Sequence, residues 1–127
     1  MRTSTYYLPW PPSTNSAVRC YQGRAILSKP YRDWRKAADA MLAENGGRRG
    51  IEGRVHLSVE ARPGSRRRYD LDNRLKAVQD ALTRCGVWND DEQVDSLEAV
   101  KGRLATSEEQ RKYCANGYVV AMVTELA

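Results

Sequence analysis

Two hydrophobic periodicities meet on either side of an arginine-rich run at residues 62–68, and they limit the fold more than any other feature. Residues 54–61 alternate between apolar and polar side chains, which is the period of a strand with one buried face. From Asp72 to about Cys85 apolar residues recur at spacings of three and four, the period of an amphipathic helix, and Gly86 ends the pattern. A strand followed at once by a helix indicates an α/β domain.

The remaining segments extend this pattern to a single small domain that covers residues 1–127. Ser28 is a suitable cap for a helix with Pro30 in its first turn, and Asn45-Gly46-Gly47 ends that helix. We predict an α/β (α+β-like) fold with the order β-α-β-α-β-β, in which two main helices accompany a mixed sheet of about four strands. The other strands are predicted near residues 3–8, 94–101 and 117–124.

Composition excludes several classes of protein. The chain has 127 residues, of which 41% are hydrophobic and 29% charged, as in globular domains. No apolar run approaches the roughly 20 residues of a membrane helix, and the N-terminus lacks a signal-peptide core. Three widely spaced cysteines indicate neither a disulfide framework nor a zinc site. We therefore expect a cytoplasmic protein that does not bind a membrane.

Charge is distributed unevenly along the chain. Residues 1–69 contain 14 Lys and Arg against 5 Asp and Glu, whereas residues 70–127 contain 7 against 11. This asymmetry favours a polyanion-binding surface beside an acidic centre, with nucleic acid as the expected partner. A basic, solvated surface that only keeps the protein soluble is the alternative interpretation.

An acidic motif begins where the basic half ends. Asp70 and Asp72 are two residues apart, so in an extended chain their carboxylates share a face. Carboxylates gather where a cation neutralises them, and hard ions such as Mg²⁺ take oxygen ligands. Lys76 lies one helical turn beyond Asp72. In the competing interpretation Asp72 caps the helix and Lys76 is its ion-pair partner, worth only about 0.3–0.5 kcal/mol.

A second acidic pair, Asp90 and Asp91, precedes the third predicted strand. These residues can return to Asp70 only if the order of the strands permits it. Two other kinds of site are excluded, because an EF-hand loop from Asp70 would need glycine where Leu75 stands, and because the phosphate-binding motif GxxxxGK(S/T) is absent. The single histidine, His56, alternates within a predicted strand, which favours a structural role over Cys–His catalysis.

These motifs together resemble the RusA-type Holliday junction resolvases, a family of small phage- and prophage-associated endodeoxyribonucleases. The family pattern D-x-D-N-x-x-K-x-x-x-D-(A/S)-L is present from Asp70 to Leu82. The pattern G-(V/F)-(W/I)-x-D-D-x-Q-(V/I) follows from Gly86 to Val94. A proline-rich segment from Leu8 to Asn15 and the last predicted strand are similar to the family as well. The resemblance therefore covers essentially the whole chain.

The resemblance implies a homodimeric, Mg²⁺-dependent endonuclease that resolves DNA four-way junctions by paired symmetrical cleavage in recombination and repair. It implies a bacterial or phage-encoded cytoplasmic enzyme without an organic cofactor, in which Mn²⁺ can replace Mg²⁺. The implied catalytic residues are Asp70, Asp72, Asp91 and Lys76, and the implied metal ligands are Asp70, Asp72, Asp91 and the helper Asp90. DNA contacts are expected from Arg62, Arg66, Arg67, Arg68, Tyr69 and Asn73.

Three questions stay open at the level of sequence. Tyr69 stands where some family members have arginine, so we assign it no phosphate contact, and stacking on a base or sugar is its alternative role. Another metal-dependent DNase, acting on flaps, forks or any duplex, and a non-catalytic DNA-binding module are the alternative functions. The dimer surface is not identified, and its apolar candidates, for which ordinary core packing is the alternative, are Trp10, Trp34 and Trp88.

Overall fold

The computed structural model describes residues 1–13 and 18–127, so that part of the proline-rich segment, Thr14 and Asn15, lies outside the described residues, as do the side chains of residues 18–21. The strands are β1 (Thr3–Pro9), β2 (Val18–Tyr21), β3 (Arg24–Leu27), β4 (Val55–Pro63), β5 (Val94–Lys101) and β6 (Gly117–Glu125). The helices are α1 (Lys29–Ala43), α2 (Asp72–Arg84) and α3 (Ser107–Lys112), and a 3-10 helix spans Asp91–Gln93.

Four strands form one mixed sheet in the order β1-β6-β4-β5, while β2 and β3 pair as a separate antiparallel hairpin. β6 is antiparallel to β1, with Thr3 opposite Thr124, and antiparallel to β4, with Val55 opposite Glu125. β5 is parallel to β4. Helix α2 therefore connects two neighbouring parallel strands, which is a βαβ unit. The predicted fold class, with its mixed four-stranded sheet and two main helices, is confirmed.

Helices α1 and α2 cover one face of the sheet. Alternate residues of β4 point into this interface, where Val55, Leu57 and Val59 are buried. Ser28 Oγ accepts a hydrogen bond from the Tyr31 backbone N–H at 3.3 Å, so α1 begins at the predicted cap. The helical residues of this core are Tyr31, Trp34, Ala38, Leu42, Ala77, Val78, Ala81 and Leu82.

The opposite face of the sheet carries a smaller aromatic cluster. Tyr118 of β6 is buried there with Ala105 and Val120, and Tyr7 and Tyr113 pack against them. The Tyr7 and Tyr113 rings are stacked with centroids 5.3 Å apart. Among the described residues, no helix is long and apolar enough to cross a membrane.

The structure contains two elements that the predicted order lacked. The β2–β3 hairpin turns at Gln22 and Gly23, both of which have positive φ. Its second strand, β3, has two exposed residues followed by two partly buried ones, and this pattern does not alternate as a strand with one buried face would. Helix α3 is a single polar segment of six residues with no buried side chain. Among the tryptophans offered as interface candidates, Trp34 and Trp88 belong to the core, with 7% and 0% of their surface exposed.

Candidate active site

The loop between β4 and α2 forms a basic cleft around Asp70. Its three arginines, Arg66, Arg67 and Arg68, are exposed, and no ion pair engages them among the described residues. A cleft of about 580 Å³ is lined by the arginines together with Tyr69, Asp70 and Lys101. Four cationic side chains thus surround one carboxylate, an arrangement that attracts a phosphodiester backbone toward Asp70.

Lys101 is a member of this cleft that the sequence analysis did not identify. It ends β5, and its Nζ donates a 2.8 Å hydrogen bond to the Tyr69 carbonyl and lies 4.5 Å from the centroid of the Tyr69 ring. Because β5 is parallel to β4, the carboxyl ends of both strands lie at the same edge of the sheet. The sequence does not indicate that β4 and β5 pair in parallel, so it does not predict that Lys101 lies near Asp70.

The beginning of α2 does not conform to the competing interpretation of Asp72. Leu71 occupies the N-cap position, and no side chain caps the helix there. Asp72 is the exposed first residue, and Lys76 pairs instead with Asp80, with Nζ and Oδ1 3.5 Å apart. The predicted N-cap role of Asp72 is therefore wrong, and neither a cap nor an ion pair accounts for this carboxylate among the described residues.

Asn73 has a definite role at the same end of the helix. Its Nδ2 donates to Asp70 Oδ2 at 3.3 Å, which orients the Asp70 carboxylate. The expected DNA contact of Asn73 stays a prediction, since the amide is engaged with Asp70 here. Asp70, Asp72 and Asn73 therefore form one acidic group at the N-terminus of α2.

Arg62 does not belong to the basic loop. It lies within β4 on the face opposite to the helices, where its Nε donates to Glu60 and its Nη1 donates to the Tyr118 hydroxyl at 2.8 Å. The guanidinium also lies 5.6 Å from the centroid of the Tyr118 ring. Because these contacts occupy Arg62 away from the cleft, its expected contact with the DNA backbone lacks geometric support.

The second acidic pair is held in a tight turn by Gln93. Gln93 Oε1 accepts hydrogen bonds from the backbone N–H groups of Asn89 and Asp90 at 2.9 and 3.1 Å. Its Nε2 donates to the carbonyls of Ile51 and Gly53 at 2.8 and 3.0 Å. Gln93 is 7% exposed, so these four bonds are made largely away from water. The glutamine of the D-D-x-Q pattern thus fixes the position of the aspartates.

We expect the Gln93→Ala variant to lose about 2–3 kcal/mol of unfolding free energy, because several backbone groups would lose partners in a buried setting. Urea denaturation would measure the loss. Asn89→Ala is the matched control, since the exposed Asn89 side chain lies in the same turn and only its backbone bonds to Gln93. Equal denaturation midpoints for the two variants would contradict this role.

Asp91 is oriented by the C-terminal end of α2. Its Oδ1 accepts a short hydrogen bond from the Thr83 hydroxyl and lies 3.4 Å from the Nε1 of Trp88. Trp88 Nε1 also donates to Thr83 Oγ1 at 2.7 Å, so one buried indole holds both partners. Asp90 instead accepts from the Glu92 backbone N–H at 3.0 Å and caps the 3-10 helix.

The two acidic groups of one chain do not meet. Asp72 begins α2, whereas Asp91 contacts Thr83, which is 11 residues further along and therefore about 16 Å away along the helix axis. Asp70 follows the carboxyl end of β4 while Asp91 precedes the amino end of β5, and parallel strands place these ends at opposite edges. No group of three or more His, Cys, Asp or Glu side chains that could hold a metal ion occurs among the described residues.

Comparison with known proteins identifies the family. A sequence model of the family described as Endodeoxyribonuclease RusA matches residues 9–111. The chain belongs to this family. Relatives from Shigella sonnei (strain Ss046) and Escherichia coli (strain K12), both named Crossover junction endodeoxyribonuclease RusA, are each 42% identical over 106 residues, which cover 80% of this chain and 84% of the relative. A relative of that name from Enterobacteria phage 82 is 38% identical over 101 residues, with the same coverage.

Membership of the RusA family confirms the resemblance that the motifs indicated. The roles of Asp70, Asp72, Asp91 and Lys76 stay predictions from the RusA pattern, and the structure shows where each side chain lies. The structure also adds a basic residue from a distant strand, Lys101, to the cleft around Asp70.

Proposed function

We propose that this protein is a homodimeric, Mg²⁺-dependent endonuclease that resolves four-way DNA junctions by paired symmetrical cleavage, in recombination and repair in the cytoplasm of a bacterium or an infected cell. The observation that carries the proposal is the cleft in which Arg66, Arg67, Arg68 and Lys101 surround Asp70. The names of the RusA relatives, crossover junction endodeoxyribonucleases, support the choice of substrate.

The cleft supports binding of DNA through its backbone. Exposed arginines neutralise phosphates and position a duplex without reading its sequence. Tyr69 lines the same cleft as these arginines and Asp70, so a base or sugar beside the reacting phosphate has an aromatic surface on which to stack. The affinity for DNA is expected to fall steeply as salt concentration rises.

A second copy of the chain would complete the acidic site. Asp72, Lys76, Asp80 and Thr83 follow one another at spacings of four, four and three, so they share one face of α2, away from the buried stripe. If two α2 helices pack antiparallel about a twofold axis, the Asp70–Asp72 end of one chain meets the Asp91 end of the other.

The donor set fits a hard divalent ion, because carboxylate oxygens are the ligands that Mg²⁺ and Mn²⁺ take. One chain supplies only part of this set at either end of α2, so Asp70 and Asp72 with the partner's Asp91 would hold the ion, assisted by Asp90. When bound, the ion lowers the pKa of water and polarises a phosphoryl oxygen.

The residues of the chain have separate tasks in hydrolysis. Asn73 orients Asp70, while Thr83 and Trp88 orient Asp91. The Lys76 side chain is 72% exposed on this face of α2, and its positive charge would stabilise a phosphate that gains negative charge. In-line displacement of the 3′ oxygen would leave a 5′-phosphate, so each pair of nicks would be ligatable.

Cleavage of a synthetic four-way junction, compared with a linear duplex of the same sequence, tests the proposal. With Mg²⁺ we expect paired, ligatable nicks in the junction and little cutting of the duplex, and chelation of the metal should abolish both. Equal cutting of the two substrates would indicate a general nuclease. Junction binding without cleavage in Mg²⁺ or Mn²⁺ would indicate a binding module.

A further inference from the structure

A second cavity adjoins the basic cleft but contains none of the predicted catalytic carboxylates. Its volume is about 320 Å³, within the range of small-ligand sites. Arg67, Arg68 and Tyr69 line both the cleft and the cavity, whereas Trp10 and Arg74 line the cavity but not the cleft. We propose that this cavity binds one unpaired nucleotide of the DNA, a proposal that rests on the nuclease function proposed above.

The aromatic wall of the cavity suits a nucleobase. Trp10 and Tyr69 meet edge to face, with ring centroids 5.0 Å apart and an interplanar angle of 81°. The Arg74 guanidinium lies 5.2 Å from the Trp10 ring centroid. Indole, phenol and guanidinium planes are the surfaces on which single-stranded bases stack, whatever their sequence. A base therefore lies against Trp10 and Tyr69, and its phosphate lies toward Arg67 and Arg68.

Arg74 is incompletely satisfied in this position. Its Nη1 donates to the Pro11 carbonyl, but its buried Nε has no hydrogen-bond partner among the described residues. Burial lowers the pKa of Arg74, whereas the nearby negative charge of Asp70 acts in the opposite direction. A guanidinium stays protonated in spite of burial, so an acceptor entering the cavity beside Arg74 would be favoured.

Close-packed backbone forms part of the cavity lining. Gly64 N donates to the Asn116 carbonyl at 2.9 Å, and a side chain at Gly64 would approach the Ala115 carbonyl to 2.5 Å. A cavity of about 320 Å³ has room for a single nucleotide rather than a stacked base pair, so the occupant is a nucleotide displaced from the helix. Since Tyr69 lines both spaces and directly precedes Asp70, the displaced nucleotide lies beside the phosphate to be cut.

Photocrosslinking tests the proposal with the cleavage-deficient Asp70→Asn protein bound to an intact junction. A 5-iododeoxyuridine placed at the branch point is expected to crosslink to peptides that contain Trp10 or Tyr69, while the same nucleotide paired in a linear duplex is not. Arg74→Gln should reduce the crosslink about tenfold or more while junction binding is retained, because base stacking against the cavity is lost. The matched control is Arg32→Gln, an exposed arginine of α1 that lines neither the cleft nor the cavity and whose loss should retain the crosslink.

A second measurement keeps the test decisive if Arg74→Gln does not fold. The indole signal of Trp10 in the NMR spectrum of the wild-type protein should shift with deoxyadenosine monophosphate and not with inorganic phosphate. Equal shifts would show a phosphate site and overturn the proposal, as would crosslinking of paired and branch-point nucleotides to the same extent. Junction cleavage with neither the branch-point crosslink nor the Trp10 shift would refute the nucleotide-binding role of the cavity and leave the nuclease function standing. Nucleotide binding without any junction cleavage would refute the nuclease function and leave the role of the cavity supported.

Discussion

An equal mixture of Asp70→Asn and Asp91→Asn proteins is expected to cut junctions that neither variant cuts alone. Suppose that each site combines the Asp70 end of one chain with the Asp91 end of the other. In a mixed dimer both substitutions then lie in one site, and the other site has both aspartates. Random assortment makes half of the dimers mixed, so about a quarter of the wild-type number of sites returns. These sites should produce single nicks, because each mixed dimer has only one.

The matched control is a mixture of Asp70→Asn with Asp72→Asn. Both residues lie at the same end of α2, so every mixed dimer has a damaged carboxylate in each site and no activity should return. Subunits would be exchanged by unfolding and refolding together, and native mass spectrometry would confirm that mixed dimers form. Absence of activity in mixed Asp70–Asp91 dimers would show that the acidic groups do not combine between chains.

Asp70→Asn alone is expected to lower the rate of junction cleavage more than about 100-fold. Loss of a residue that only orients a metal ligand already lowers metal affinity or activity by about 10- to 100-fold, and Asp70 is proposed to be a ligand itself. Junction binding should be retained or become tighter, because the substitution removes a negative charge from a cleft that otherwise contains four cations. Initial cleavage rates in Mg²⁺ and gel-shift titrations without it would measure the two effects.

Asp33→Asn is the control for that experiment. Asp33 is an exposed carboxylate on α1 that pairs with Lys29 at 2.7 Å, far along the chain from the cleft. Its substitution should leave cleavage unchanged. An Asp70→Asn protein that cleaves within about twofold of the wild type would remove Asp70 from the metal site.

Most of the fold could be predicted because its signals are local. The alternation of β4, the three-and-four spacing of α2 and the capping by Ser28 each lie within a short stretch of sequence, and all three were confirmed. The β2–β3 hairpin and α3 were missed because their sequences have no apolar periodicity: they are short, largely exposed elements.

The candidate site was predictable only in part, because it depends on which strands are neighbours. The acidic motif and the arginine loop are adjacent in sequence and lie together in space. Lys101 and Trp10 reach the same region from opposite ends of the chain, through strand pairing that no local pattern indicates. The same parallel pairing of β4 and β5 keeps Asp91 away from Asp70, although the two family patterns that contain them are neighbours in sequence.

The length of α2 would make this enzyme sensitive to its own abundance. If a lone chain holds only half of the acidic site at each end of the helix, cutting requires a partner, and at low concentration the number of active molecules rises with the square of the number of chains made. A few stray copies would then leave the chromosome uncut. A burst of synthesis would switch on the enzyme abruptly without any separate inhibitor.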